Sequence, residues 1–515
     1  MIPIFSSLNM MQRSLEVTQA AIQTTGHNIS NANTEGYSRQ RVNLSAWLPY
    51  PAIGINAAGG AGQIGTGVID DSIVRIRDQF VDTQVRDNSA QNGYWSSVDD
   101  AYSQMQDIIN EPTDTGISEV LDNFWQSLQD LAGNSGTSGT GAVVLQDGKA
   151  VADTFNYLSQ SLGKVQDNLE SQINENVDQI NNYADQINEL NKEIATQEAN
   201  GLLPNDLYDE RDALTDKLSE LANIKVTKVP SGGNPSKLAE GKYTIELVKD
   251  DGSSYEPNAT LVDGDNLTNH YIKAEITDDG TTAPVVKVGL VDSQDDNLDP
   301  AGPLLTDSST ADSSKFSGKL QGLIDAYTTD YPEVLASLDH LASTLAKKFN
   351  SVYSETAGGY QNSKGTFFIG DSTDPAHSGT VTAANIHVNE DLTGSDVTAS
   401  EEGAPTGDNT GAQNLADVIA SNAYDVDTDG NQMTLKNYLE SLIGQIGVNA
   451  QSAEQFTKNT NALLEAAQNR QQSISGVSMD EELTNLIQFQ HSYAASAKVV
   501  TTLDTMLDTI INKMG

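Results

Sequence analysis

Residues 166–198 read QDNLESQINENVDQINNYADQINELNKEIATQE. Ile173, Val177, Ile180, Ala184, Ile187, Asn191 and Ile194 step by alternating four and three, the seam of a coiled-coil-like helix. At ~1.5 Å per residue such a segment spans on the order of 50 Å, which is a rod and not a small catalytic domain. Asn191 stands where an apolar side chain would pack, and a polar residue in a seam can fix register.

Helical patterns continue on both sides of this rod. In GISEVLDNFWQSLQDLA (116–132), Ile117, Leu121, Phe124, Leu128 and Leu131 share a face, with Trp125 beside them. GNSGTSGTG (133–141) reads as a flexible joint. NDLYDERDALTDKLSELA begins a further helix, with Asn205 as its expected cap and Leu207, Leu214, Leu218 and Leu221 as its stripe.

Residues 223–315 change character. IKVTKV, KYTIELV, HYIKAEIT and PVVKVGLV are β-rich runs, and Tyr243, Ile245 and Leu247 alternate with Thr244, Glu246 and Val248. Asp251-Gly252, Asp263-Gly264 and Asp279-Gly280 supply turn signals. Helices resume over 316–355 and occupy most of 414–475. Between them, 356–413 is polar and loop-rich, and SEEGAPTGDNTGAQ within it reads as mobile.

Both ends carry heptad stripes. A helix over 4–30 places Leu8, Leu15, Ile22 and Ile29 seven apart, with Met11 between two of them. A helix over 479–512 places Leu486, Tyr493, Val500 and Leu507 on one heptad position and Phe489, Ser496, Leu503 and Ile510 on another. Ser478 is positioned to cap it with Glu481 or Glu482. Matching seams suggest ends that pack together or with copies of themselves; two unrelated amphipathic helices on one core would look the same. Stripes this narrow need partners, so the ends are expected to be disordered in the monomer and to order on assembly.

The fold class is therefore mainly α with an inserted β domain: a long helical bundle built from N- and C-terminal halves, with coiled-coil-like terminal helices. The expected units are 1–75, 76–222, 223–315, 316–475 and 476–515, in line with three or four domains at roughly 150 residues each for a chain of 515.

Composition narrows the function. With 72 Asp+Glu against 28 Lys+Arg the net charge is −44, which argues against binding nucleic acid backbone or an anionic membrane. There is no cysteine, so disulfides, thiolate metal sites and cysteine nucleophiles are excluded. No window approaches the ~18 apolar residues of a membrane span, and the start does not read as a signal peptide. That leaves the cytoplasm or a non-classical export route.

Chemistry is equally sparse. The six histidines (His27, His270, His340, His377, His387 and His491) form no HExxH or i,i+4 pair, so no metal or other cofactor is expected. GAGQIGTG (60–67) lacks the lysine of a phosphate loop, and 30–75 reads as an extended, flexible arm. Ser161-x-x-Lys164 matches a β-lactamase pair by letters alone. Asp425, Asp427, Asp429 and Gly430 have EF-hand spacing, with Asn431 at position seven, but Lys436 stands where a bidentate Glu belongs. A polar turn is the better reading there, and a weak cation site the lesser one.

GHNISNANTEGYSRQRV (26–42) resembles the N-terminal signature of bacterial flagellar axial proteins, written around N-I-A-N-x-N-T-x-G-Y. Asn28, Ile29, Asn31, Asn33, Thr34, Gly36 and Tyr37 match, Ser30 replaces the commoner Ala, and Glu35 stands where Pro is common. The extension Ser38-Arg39-Gln40 points to the hook-associated branch at the hook–filament junction. NDLYDERDALTDKLSEL, AANIHVNEDL (383–392) and the stretch from SGVSMDEELTNL to the C-terminus are also similar to that family. The β-rich insert is not covered by the resemblance.

The resemblance implies a non-enzymatic structural adaptor, secreted through the flagellar type III export channel and built into a ring of subunits between hook and filament. The terminal helices would form the innermost layer, through Leu8, Met11, Leu15, Ile22, Ile29, Leu486, Phe489, Tyr493, Val500, Leu503, Leu507 and Ile510, and the β domain would face outward. Implied partners are copies of itself, the hook protein, a second junction protein, and an export chaperone holding the C-terminal helix. A hook or distal-rod protein is the alternative. A wall hydrolase carried in the β insert is a remote one.

Overall fold

A single 60-residue helix, α4 (Thr140–Ala199), organises the molecule. At 1.5 Å per residue it runs for roughly 90 Å. The computed structural model describes residues 4–48, 65–109, 116–134, 139–278, 283–298, 303–309, 316–355, 365–370, 380–399, 408–421, 424–425 and 432–512. The predicted rod is thus the second half of a longer helix that starts inside the expected joint. All seven seam residues, Ile173 to Ile194, are buried.

Before α4 come α1 (Ile4–Ser30), strands β1 (Gln40–Ala46) and β2 (Val68–Arg75), α2 (Gln79–Ile109) and α3 (Ile117–Gly133). After it come α5 (Asn205–Leu221) and seven strands: β3 (Ile224–Val229), β4 (Lys242–Val248), β5 (Ser254–Asp263), β6 (Thr268–Asn269), β7 (Tyr271–Thr277), β8 (Val285–Val291) and β9 (Leu304–Asp307). Helices α6 (Lys319–Asp325) and α7 (Tyr331–Glu355) are joined by a π turn, Ala326–Asp330. Short strands β10 (Phe368–Ile369) and β11 (His387–Val388) precede α8 (Thr410–Ala420). Strands β12 (Tyr424–Asp425) and β13 (Gln432–Met433), then α9 (Leu435–Ser475) and α10 (Met479–Asn512), complete the chain.

The bundle is built from both halves of the chain. α2 lies antiparallel on α9: Asn92 Nδ2 donates to Thr460 Oγ1 at 3.3 Å, and ten residues further along α2, Tyr102 OH accepts from Asn449 Nδ2 at 3.2 Å. α3 packs on α4 and α8, and α7 on α8. Phe124, Phe349, Phe367, Phe368 and Tyr353 form one aromatic cluster there. Gly148 on α4 permits that approach, since a Cβ would sit 2.8 Å from the Phe367 ring.

The strands form two antiparallel sheets, ordered β3-β4-β5-β6 and β7-β8-β9. The four predicted runs fall on β3, β4, β7 and β8; β5, β6 and β9 were not singled out. Tyr243, Ile245 and Leu247 are buried as the alternation requires, in a core continuous with that of the helices, but Val248, expected on the opposite face, is buried as well. Asp279-Gly280 lies outside the described residues.

Several expectations are corrected. The arm over 30–75 contains an antiparallel ribbon, with Gln40 opposite Arg75 and Ala46 opposite Val68, and α1 packs against it. Residues 49–64, with most of GAGQIGTG, lie outside the described residues. Within the polar 356–413 stretch, Phe367, Phe368, Ile386 and Val388 are buried, and Thr410–Gln413 is the first turn of α8 and not a mobile loop. Asn205 does not cap α5: it is the first helical residue, and its Nδ2 donates to the Ile73 carbonyl at 3.0 Å. The terminal helices are formed in the single chain and packed on each other, which removes the expectation of disordered ends.

Candidate functional site: the paired termini and the loop that holds them

α1 and α10 run antiparallel. Asn28 Nδ2 donates to Glu482 Oε2 at 3.0 Å, and Ser14 Oγ meets Ser496 Oγ at 3.0 Å, a fourteen-residue step in each helix taken in opposite directions. The fully buried positions of α1 are Val17, Thr18, Ala21, Thr24, Thr25 and Asn28. The predicted Leu8, Met11, Leu15, Ile22 and Ile29 are half-buried. On α10, Leu486, Phe489, Val500, Leu503 and Leu507 are half-buried, and Tyr493 is exposed. The side chain of Ile510 lies outside what the structure describes. Further apolar side chains of α10 face solvent: Ile487 is 55% exposed, Met506 52% and Ile511 68%. The pair therefore covers only part of its apolar surface, and the remainder is of the kind that marks an interaction face.

The motif loop fastens this pair to the rest of the molecule. Asn28 exchanges both backbone bonds with Gln40, Nδ2 donating to its carbonyl and Oδ1 accepting from its N–H, each at 2.9 Å. Tyr37 OH donates to the same Oδ1 at 2.8 Å and lies 3.1 Å from His27 Nδ1. Burial, followed by Asp209, Asp206 and Glu482, pushes the Tyr37 phenol well above its ordinary value, so the hydroxyl stays a donor. Asn31 Nδ2 donates to the His27 carbonyl at 3.2 Å, and Asn31 Oδ1 accepts from Thr34 Oγ1 at 3.2 Å. Asn33 is exposed. Gly36 has φ +79°, and a Cβ there would come within 2.9 Å of Ala213 Cβ on α5, so the turn requires glycine on two counts.

Glu481 and Glu482 serve this junction and not the expected capping box. Arg39 bonds Glu481 at 2.9 Å and Glu482 at 2.8 Å, while its backbone N–H donates to the Ser475 carbonyl at 2.8 Å. Beneath the loop, Arg75 reaches Asp209 at 2.7 Å, Asp212 at 2.9 Å, and Glu240. Arg77 bonds Asp82 at 2.8 Å, and Arg86 bonds Asp216 at 2.6 Å. Tyr243 OH donates to Asp212 at 2.7 Å, and Arg211 stacks 3.5 Å over the Tyr243 ring. Burial opposes the charge on Asp212, but Arg77, Arg75, Arg86 and Arg211 outweigh it and hold its carboxyl far below the usual carboxylate range.

Sequence reading missed this cluster, because an Asp-rich helix looks solvated. One signal was present: the chain has only eight arginines, and Arg75, Arg77, Arg86 and Arg211 are four of them. The cluster ties the ribbon, α2, α5 and β4 together. Gln471 Nε2, donating to Asp82 at 2.7 Å, adds α9. Between loop, α2, α5 and the α9–α10 turn lies an open groove of about 810 Å³.

Among the described residues no group of three or more His, Asp or Glu is placed to hold a metal ion, and no helix is long and apolar enough to cross a membrane. Asp427, Asp429, Gly430 and Asn431 of the EF-hand-like stretch, and His377, lie outside the described residues, as does the side chain of Asp425. Lys436 pairs with Asp122 at 2.8 Å.

Residues 102–368 match the family model for the flagellar hook-associated protein FlgK helical domain, which spans the β insert. Residues 469–513 match the flagellar basal body rod FlgEFG protein C-terminal model. The chain is 39% identical to flagellar hook-associated protein 1 of Bacillus subtilis, covering 99% of this chain and 98% of that one. It is 26% identical to flagellar hook-associated protein 1 of Escherichia coli, over 98% and 99%. Its fold matches the flagellar hook junction protein FlgK from Burkholderia pseudomallei with a TM-score of 0.58 at 14% identity, covering 76% of this chain and 100% of that one.

Proposed function

The chain belongs to the flagellar hook-associated protein 1 family, and from that premise we propose that it is a structural component of the hook–filament junction, built in by self-association. The observation that carries the mechanism is the antiparallel α1–α10 pair with its unsatisfied apolar faces. Two helices can shelter one seam between them; Ile487, Met506 and Ile511 point elsewhere and need neighbouring copies. The five half-buried residues of α1 and their counterparts on α10 would complete their burial in the same step.

The finer points follow as parts of the proposal. Copies form a ring, with the hook protein on one side and a second junction protein on the other. The chain is secreted by type III export, and a chaperone covering α10 beforehand would hide the face that polymerises. The role is non-enzymatic. A hook or rod identity is less well supported, because the rod-type model covers only the last helices while the hook-associated model covers the helical body.

The Ile487→Asp substitution tests this. Ile487 is exposed in the monomer, so circular dichroism should be unchanged, while cells carrying only this variant should show hooks without filaments by electron microscopy. Leu15→Asp, on the half-buried face of α1, should also leave hooks without filaments. Filaments in ordinary number on Ile487→Asp cells would overturn the assignment of that face.

A further inference from the structure

Strand β3 is an edge strand, paired only with β4. Ile224 lies opposite Leu247, and the flanking Asn223 carbonyl accepts from the Val248 N–H at 3.1 Å. Antiparallel pairing alternates, so this bond turns the backbone groups of Ile224, Val226 and Lys228 to the outer side. Among the described residues they meet no hydrogen-bond partner. The free edge extends for roughly 13 Å at ~3.3 Å per residue.

It does not face open solvent along its whole length. A groove of about 450 Å³ runs between this edge and α2, with Ile224 and Val226 on one side, Asp87 and Gln91 on the other, and Asp250 and Asp251 near the β4–β5 turn. Of the cations nearby, Arg86 pairs with Asp216, Lys225 with Glu246 at 4.0 Å, and Lys249 acts on Asp251. Asp87, Asp250 and Asp251 are exposed and, among the described residues, in no ion pair. A helix carries no free backbone donors to match an open edge, whereas an extended peptide does. Counting Asp216 and Glu246, five acids stand there against Arg86, Lys225 and Lys249, an excess that favours positive side chains on that peptide. A second copy of this chain is a poor candidate, having 72 acidic against 28 basic residues.

We infer that the β3 edge and its groove form a docking site for an extended, lysine- or arginine-bearing segment of another protein, which adds as a fifth strand beside β3. Unprotected edges invite such pairing, and natural sheets usually block them.

The test uses the full chain with two five-residue probes, one alternating Lys and Val and one alternating Glu and Val. The Lys/Val probe should slow amide exchange of the fragment covering 224–229 at least tenfold, and the Glu/Val probe should not. Val226→Pro removes an outward N–H and no inner rung, so it should abolish the protection. Should that variant fail to fold, Asp87→Asn with Asp250→Asn retains the backbone and should weaken binding several-fold, more so at low salt. Equal protection by both probes, protection elsewhere in the chain, or no protection by either would overturn the inference.

Discussion

Asn28 on α1 is bonded to both backbone groups of Gln40, and the same device recurs along the chain. Asn181 holds Ile272, its Oδ1 accepting from the N–H at 2.7 Å and its Nδ2 donating to the carbonyl at 2.9 Å. Asn191 holds Tyr243 at 2.9 Å in both directions, and Asn350 holds Phe368. In each case a helix offers an amide that imitates the next strand, so the strand's backbone is satisfied where a helix, and not a sheet, covers it. The polar residue at Asn191 does fix register, but against a strand and not a second helix. Asn191→Leu would strand two buried backbone groups and remove an acceptor from Arg211. It should lower unfolding stability by about 2–4 kcal/mol in a urea titration. Asn174→Ala, on the exposed face, should stay within about 0.5 kcal/mol.

Asp212 gives a pH signature at the same scale. Its folded pKa lies below the unfolded value of ~3.9, so its stabilisation is complete above that value. Below about pH 4 the unfolded chain takes up the proton first, and the contribution is lost as pH falls further. Asp212→Asn should therefore be destabilised most near neutrality, with the gap to the unsubstituted chain narrowing below about pH 4 in thermal melts. A gap that widened with acid would show that the four arginines do not set this carboxyl.

At the scale of elements, legibility followed chemistry. α4 was readable because its seam is isoleucine, valine and alanine at helical spacing, with Asn191 the one polar member, and every member is buried. The β runs were readable because branched and aromatic residues alternate there. α5 was misread: its leucine stripe is only partly buried, while Tyr208, Asp209, Arg211, Asp212 and Thr215 are buried. Burial of charge depends on partners over a hundred residues away, on β2 and α2, and no local period records that. The ribbon of 40–75 was hidden for a similar reason, since its strands pack on α1 and not on a core of their own. Glu482 joins α10 to both Asn28 and Arg39. Glu482→Ala should raise amide exchange across α10 and α1 while leaving α4 protected, because the pair is held to the body chiefly through this junction. Uniform exchange across all helices would contradict a separable terminal pair.

For the whole molecule, assembly has to overcome charge. Each copy brings a net −44, yet α1 carries only Arg13 and Glu16 besides His27, and two of the three acids at the start of α10, Glu481 and Glu482, are turned to Arg39 and Asn28. The faces proposed to meet are mainly apolar, with Asp480, Asp504 and Asp508 against Lys498 left on α10, so most of the net charge, and with it most of the repulsion, comes from the rest of the chain. That repulsion is screened by salt: the Debye length falls from ~30 Å at 0.01 M to ~8 Å at 0.15 M. Apolar contact at the tips, in contrast, is not weakened by screening. Self-association measured by sedimentation should therefore strengthen as NaCl rises across that range, and Ile487→Asp should remain monomeric throughout. Association that weakened with salt would mean that ion pairs, and not the uncovered faces of α1 and α10, join the copies.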